Sequence, residues 1–299
     1  MTEARKELSL LITDSGLGGL SICAEIERNL RLACSYDNVR ITYFNAWPEE
    51  RRGYNDLPDD ASRALQLERA LERMGRFLPD RILIACNTLS VLYPLTDHSR
   101  RGVIPVVGII DAGVDLFLEA LRADPVSSIV TLGTRTTIES GVHRDRLLEA
   151  GIEGRRIVTV SCHGLATAIE ADTEGPAVAR LVEKCASEAC AATALGDPVY
   201  VGLCCTHYTY VKDLIRTALA ARSGRTVLTL DPNQRLASRI APAPQTPPSD
   251  GAACRVTVEV VSKVELGDGK RRMMAERIRG VSAATARALL SYAHIPDLF

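Results

Sequence analysis

The sequence has no C-x-x-C pair, and its five histidines are scattered. A structural zinc site needs closely spaced Cys or His ligands, so no metal is expected. No run of 18 apolar residues occurs, so no membrane-spanning helix is expected. Neither sign of charge is in excess: 36 Lys and Arg stand against 37 Asp and Glu. That balance argues against a strongly basic nucleic-acid surface, and no nucleic-acid partner is expected. The opening residues, MTEARKEL, are charged and carry no apolar h-region, so no secretory leader is expected. Nine irregularly spaced cysteines do not read as a disulfide framework in 299 residues. They fit a cytoplasmic chain with reduced, mostly buried thiols. What the chain does have is core material. Apolar residues make up 46% of it, enough for one large domain or two medium ones.

Short apolar runs rich in Val and Ile recur at 8–13, 39–44, 81–85, 103–110, 128–132, 156–160, 198–203 and 226–230. Between them lie helical patterns. This alternation predicts an α/β protein with mostly parallel sheets. The clearest amphipathic helix is predicted over 61–77, with Leu65, Leu67, Leu71, Met74 and Phe77 on its apolar face. A repeat runs through the pattern. Ser15 and Thr134 each follow a predicted strand and lie 119 positions apart. Cys86 and Cys205 do the same at the same offset, and Asp111 and Asp231 nearly so. Two similar α/β halves are therefore expected. The stretch 241–251, APAPQTPPSDG, is predicted to be an irregular proline-rich connector. Beyond it, RVTVEVVSKVEL alternates like a half-exposed strand, and GVSAATARALLSYA reads as a helix with Ser282 as N-cap. This tail, 252–299, is expected to be an appendage to one half.

Ligands of open α/β sheets sit at the carboxyl ends of strands, beside the next helix N-termini. The cysteine and hydroxyl motifs all fall at such ends. A helix N-terminus also favours thiolate, which would bring a cysteine closer to reactivity at neutral pH. Two thiols on opposite faces of a substrate can invert a carbon, one removing a proton and the other returning one. Each motif also has a plainer reading. Cysteine after an apolar strand is often a small buried hydrophobe. Asp14 can be a helix cap, His207 can bond a carbonyl, and Glu170 can be a solvated helix residue. DSGLGG lacks the Lys-Ser/Thr ending of a phosphate loop and the spacing of a dinucleotide fingerprint. What favours the chemical reading is the joint occurrence of these motifs at equivalent strand ends.

DSGLGGLS (14–21), ACNT (85–88), PVVGIID (105–111), GTRTTIESG (133–141) and CTHY (205–208) resemble, in order and spacing, the glutamate racemase family of the aspartate/glutamate racemase superfamily. The resemblance runs from about residue 8 to 232. It implies two pseudo-symmetric three-layer α/β domains with mostly parallel sheets and the active site between them. The first domain would comprise 1–107 and 232–299, and the second 108–231. It implies racemisation without a cofactor by two cysteines, Cys86 and Cys205, with Cys204 a buried neighbour. Asp14 matches a carboxylate that assists the first thiol, and His207 a histidine that assists the second. Glu170, in ATAIEAD, falls where the family has a further catalytic glutamate. Ser15, Asn87, Thr88, Thr134, Thr137 and Thr206 match positions that hold the amino and carboxylate groups of the substrate. The expected partner is a small-molecule amino acid or related carboxylate; the sequence does not fix the oligomeric state, and a homodimer is one assembly it allows.

The chain departs from the family at one loop. After the second strand the family carries a GDxxxxPYG-like segment that contacts the distal end of the substrate. Here NAWPEERRGYN (45–55) places Ala46 where the Asp would be and has no Pro-Tyr-Gly. Arg51 and Arg52 read either as carboxylate ligands or as surface residues. Other readings are a dicarboxylate cis–trans isomerase, a hydantoin racemase and a non-catalytic ligand-binding homologue. Retention of both cysteines with Asp14 and His207 favours the racemase.

Overall fold

The computed structural model describes residues 7–192, 195–244 and 254–299. In chain order the elements are β1 (Glu7–Asp14), α1 (Leu20–Ala33), β2 (Asn38–Asn45), α2 (Asp60–Gly75), β3 (Arg81–Ile84), α3 (Asn87–Leu92), α4 (Asp97–Arg101) and β4 (Val106–Gly108). Next come α5 (Ile109–Ala123), β5 (Ser128–Gly133), α6 (Arg135–Glu139), α7 (Val142–Glu149), β6 (Ile157–Ser161), α8 (Leu165–Ala171) and α9 (Pro176–Ala192). They are followed by β7 (Val199–Cys204), α10 (Lys212–Ser223), β8 (Val227–Leu230) and α11 (Pro232–Ile240). The chain closes with β9 (Arg255–Ser262), α12 (Asp268–Arg279), α13 (Ala283–Leu290) and β10 (Ala293–His294). Two compact units result, Met1–Gly108 with Leu236–Phe299, and Ile109–Arg235.

The first unit holds a parallel sheet of order β10-β9-β2-β1-β3-β4. Register sets its upper rim. Thr13 pairs with Ile84 across β1 and β3, and Ala85 N–H donates to Thr13 O at 2.9 Å. Asp14 and Cys86 therefore emerge together at the carboxyl ends of neighbouring strands. Behind them α2 covers the sheet. Its N-cap Asp59 accepts from Ser62 N–H at 2.7 Å. Leu67, Leu71 and Met74 are fully buried, each worth about 1.5–3 kcal/mol. Leu65 corrects the predicted apolar face. It is 52% exposed, because two residues turn a helix by about 200° and Leu67 takes the inner side. Phe77 lies beyond the helix end and packs edge-on against Phe44 at 6.0 Å.

The second unit repeats the plan with the order β6-β5-β7-β8, again all parallel. Each sheet places its first strand inside, its second on one flank, and its third and fourth on the other. The two α/β halves expected from the repeat are thus present. The carboxylate pair is not equivalent: Asp231 directly follows β8 and is buried, whereas Asp111 lies in the first turn of α5, exposed and paired with Arg146 at 2.6 Å.

Two segments differ from expectation. The predicted strand 103–110 shrinks to Val106–Gly108, because Ile109 and Ile110 open the buried face of α5. A short apolar run does not separate a buried strand from a buried helix start. The C-terminal segment, expected as an appendage, is an integral part of the first unit. β9 pairs with β2 over its whole length, from Asn38↔Arg255 to Asn45↔Ser262. Asn45 Nδ2 donates to Ser262 Oγ at 3.0 Å, and Leu298 is fully buried. Ser282 caps α13 as predicted, accepting from Thr285 N–H at 3.0 Å. Of the proline-rich connector, 245–251 lies outside the described residues. Among the described residues, no helix is long and apolar enough to cross a membrane.

Candidate active site

In the first unit, β1 ends in a buried carboxylate. Asp14 Oδ2 accepts from Gly19 N–H at 2.5 Å across the turn that opens α1. A Cβ on Gly19 would stand 2.8 Å from that oxygen and 3.1 Å from Ala85 Cβ, so only glycine fits beside the carboxylate. Ser15 follows, with Oγ 3.2 Å from Cys86 Sγ. Cys86 occupies the N-cap position of α3, and its carbonyl accepts from Ser90 N–H at 2.9 Å. Asn87 and Thr88 form the first residues of that helix and are buried. Neither polar atom of the Asn87 side chain has a hydrogen-bond partner. An unpaired buried amide is costly and is suited to receive a polar ligand.

The expectation that a helix N-terminus favours thiolate at Cys86 is overturned. Burial pushes this thiol up, and the Asp14 charge adds to the rise. Bonds from Ser15 and from the Leu89 N–H offset only part of it. Cys86 therefore rests as a neutral thiol.

In the second unit β7 ends at Cys204, and Cys205 opens a tight helical turn over Thr206–Val211. Alternation along the strand separates the two thiols. Cys204 is fully buried in a cluster with Phe117, Ile129, Leu147 and Ile157. Cys205 belongs to a different cluster and keeps a small exposed surface. Its Sγ lies 3.8 Å from His207 Nδ1, and His207 Nε2 lies 2.7 Å from Glu170 Oε1 on α8. The chain Cys205–His207–Glu170 is buried throughout. Burial alone would lower the imidazole pKa. The hydrogen bonds with Cys205 and Glu170, with their charges, outweigh it and hold His207 well above its ordinary 6.5. Of the matched hydroxyls, Thr134 Oγ1 and Thr137 Oγ1 are 3.0 Å apart at the start of α6. Thr206 is buried, and its carbonyl accepts from Asn233 Nδ2 at 3.0 Å.

Sequence reasoning did not single out Asn233. It links Asp231, which accepts from its N–H at 3.0 Å, to the Cys205 turn. Thr209 Oγ1 donates to the same carboxylate. The DPN triplet after β8, with proline opening α11, was the available signal. Arg51 and Arg52 are exposed, and Arg52 faces Glu49 at 3.9 Å. Among the described residues, no group of three or more His, Cys, Asp or Glu is placed to hold a metal ion.

The two adjacent cysteines can be told apart by mutation. Cys204→Ser is expected to cost about 1–3 kcal/mol of stability, because it buries a hydroxyl in an apolar cluster. Its activity should stay within about twofold, since the thiol faces away from His207. Urea unfolding and an initial-rate assay on the same preparation check both.

The sequence model of the Asp/Glu/Hydantoin racemase family matches residues 12–240. A glutamate racemase of Chlorobium phaeobacteroides is 30% identical over 222 residues, covering 73% of this chain and 74% of that protein. One from Deinococcus radiodurans is 31% identical over 214 residues, covering 71% and 68%. Among solved structures, a glutamate racemase from Bacillus anthracis superposes with a TM-score of 0.66 at 21% identity, over 93% of this chain and 95% of that one. The glutamate racemase of Aquifex pyrophilus gives 0.61 at 25% identity, over 91% and 95%.

Proposed function

The chain belongs to the Asp/Glu/Hydantoin racemase family, and on that premise we propose that it is a cofactor-independent racemase of glutamate or a related amino acid. The observation that carries the reading is the buried Cys205–His207–Glu170 chain, together with a second thiol, Cys86, bonded to Ser15 beside Asp14. Cys86 and Cys205 then serve as the two acid/base thiols, acting on opposite faces of the α-carbon. One thiolate takes the α-proton. The electron pair left behind spreads into the substrate carboxylate. The other thiol donates its proton to the opposite face, and the configuration inverts.

The charge that develops on the carboxylate must meet donors already in place. Ser15, Asn87, Thr88, Thr134, Thr137 and Thr206 are proposed to supply them and to bind the amino group. The unpartnered Asn87 amide supports this. His207 exchanges a proton with Cys205, and Glu170 holds its ring and charge. The reading includes a cytoplasmic location and a homodimer, the latter checked by light scattering of the purified chain.

The test is exchange of the α-proton in deuterated water across L- and D-glutamate, aspartate, glutamine, alanine and norvaline. Deuterium entry with inversion of at least one of them is expected. A chain that binds an amino acid without any exchange would sink the enzyme reading and leave a binding homologue.

A further inference from the structure

The residues that open α11 carry polar side chains that the mechanism has not used. Asp231 and Asn233 are buried, and both reach the turn that follows Cys205. Asn233 Nδ2 donates to Thr206 O at 3.0 Å. Thr209 Oγ1 donates to the Asp231 carboxylate. The Asn233 N–H donates back to Asp231 Oδ1 at 3.0 Å, which joins the two ties into one network. His207 lies between the tied positions, Thr206 and Thr209. All of these residues belong to the second unit.

The turn needs support from outside itself. A helix of this tight kind has poorly aligned hydrogen bonds and seldom runs past about four residues. This one spans six, Thr206–Val211, and no side-chain bond caps its start. Tyr208 ties it to the end of β6, its hydroxyl donating to Cys162 O at 3.3 Å. The start of α11 supplies two more ties. What they hold has little slack. Cys205 Sγ and His207 Nδ1 are 3.8 Å apart, near the outer limit of a hydrogen bond to sulfur.

We propose that Asn233 is a positioning residue for Cys205. By holding the Thr206 carbonyl, with the Thr209–Asp231 bond as a second tie, it keeps the thiol and the His207 imidazole within reach of each other. This rests on the racemase reading above. A carboxamide suits the task, since it donates to a carbonyl and brings no charge beside the Asp231 carboxylate. Without it the buried Thr206 carbonyl loses its donor, and the turn resettles to recover one. A misplacement of about 1 Å at a reacting group can cost about 10²-fold in rate. Loss of the amide leaves the Thr209–Asp231 tie in place, so a smaller cost, about tenfold, is expected. The cost falls on the step that Cys205 performs. An amide that only stabilised the fold would slow exchange through either thiol alike.

The experiment places Asn233→Leu, which keeps the bulk and removes the donor, in Cys86→Ser and in Cys205→Ser. The backbone N–H of residue 233 can still bond Asp231 in both. Exchange of the α-proton is measured in deuterated water with saturating L- and D-enantiomers of whichever amino acid of the panel turns over, with Tm for each protein. In Cys86→Ser, where Cys205 is the base, Asn233→Leu is expected to lower kcat for the L-enantiomer by about tenfold. In Cys205→Ser, where Cys86 is the base, kcat for the D-enantiomer should stay within about twofold. Asn233→Ala, also without the donor, repeats the comparison if the leucine variant is unstable. An equal fall in both backgrounds marks a structural amide and overturns the assignment. So does unchanged exchange of the L-enantiomer in Cys86→Ser. If wild type exchanges no substrate of the panel, the racemase reading falls and takes this proposal with it. If wild type racemises but Cys86→Ser exchanges nothing, Cys205 is not the base on its face, and the proposal falls again. If wild type and both single-thiol variants exchange as expected and Asn233→Leu has no selective effect, only the role of Asn233 falls.

Discussion

Cys205→Ser is expected to lose racemisation entirely while still exchanging the α-proton of the D-enantiomer. Cys86→Ser should do the converse and exchange only the L-enantiomer. In a two-base site each enantiomer gives its proton to the thiol on its own face, and the opposite thiol completes inversion. A serine hydroxyl cannot act as base near neutrality, so the step it replaces falls by about 10²–10⁴-fold. Exchange on the surviving face then proceeds with retention. The structure adds a pH signature. Cys86 is pushed up by burial and by the Asp14 charge, so it must lose a proton before it can act as base. Exchange of the D-substrate by Cys205→Ser should therefore rise with pH across the accessible range. Proton NMR of each pure enantiomer in deuterated water reads both the rate and the configuration. Full racemisation in either single variant refutes the two-thiol assignment. Activity lost in Cys204→Ser but kept in Cys205→Ser would mean that the wrong member of the pair was chosen.

Much of the fold was legible because parallel strands write their burial directly into the chain. A run such as ILIA is apolar throughout, and the residue after it must lie at the sheet rim, which places Cys86. The same holds for VYVGLC and Cys205. Legibility ended where the local pattern fits two outcomes. Ile109 and Ile110 suit a strand or a buried helix turn equally, and only the packing of α5 decides. The role of β9 was hidden for a different reason. Its alternation of exposed and buried residues predicts a strand, but not that it pairs with β2 more than 200 residues earlier. The carboxylates show the same limit at the site. Asp111 and Asp231 look alike in sequence, yet a two-residue difference in the distance from the strand end leaves one in solvent and buries the other. Glu170 and His207, 37 positions apart, meet only because α8 turns that face toward the Cys205 turn.

Glu170→Gln is expected to cut turnover by about 10–100-fold at neutral pH and to change how stability depends on pH. In the native chain burial opposes the charged imidazole of His207, and the bonds with Cys205 and Glu170 overcome it. Glutamine keeps the shape and can still accept from Nε2–H, but the negative charge is gone. Burial then prevails, His207 becomes neutral at working pH, and Cys205 loses its cationic neighbour. The linkage follows from the direction of the shift. A histidine whose pKa is raised by folding adds stability that is fully present below its unfolded value, about 6.5, and is lost as pH rises through the folded value. In Glu170→Gln the sign reverses, since a histidine kept neutral by burial resists folding once the unfolded chain takes up a proton. The stability gap between the two proteins should therefore be widest between about pH 5 and 6.5, above the carboxylate range. It should narrow as pH rises through the titration of His207. Urea unfolding at a series of pH values measures the gap, and NMR of the imidazole C–H signals follows His207 itself. A gap independent of pH, or a His207 that titrates identically in both proteins, would show that Glu170 does not hold its charge. Reduced turnover would then have to come from lost packing alone, and Glu170→Ala should be no worse than Glu170→Gln once corrected for the folded fraction.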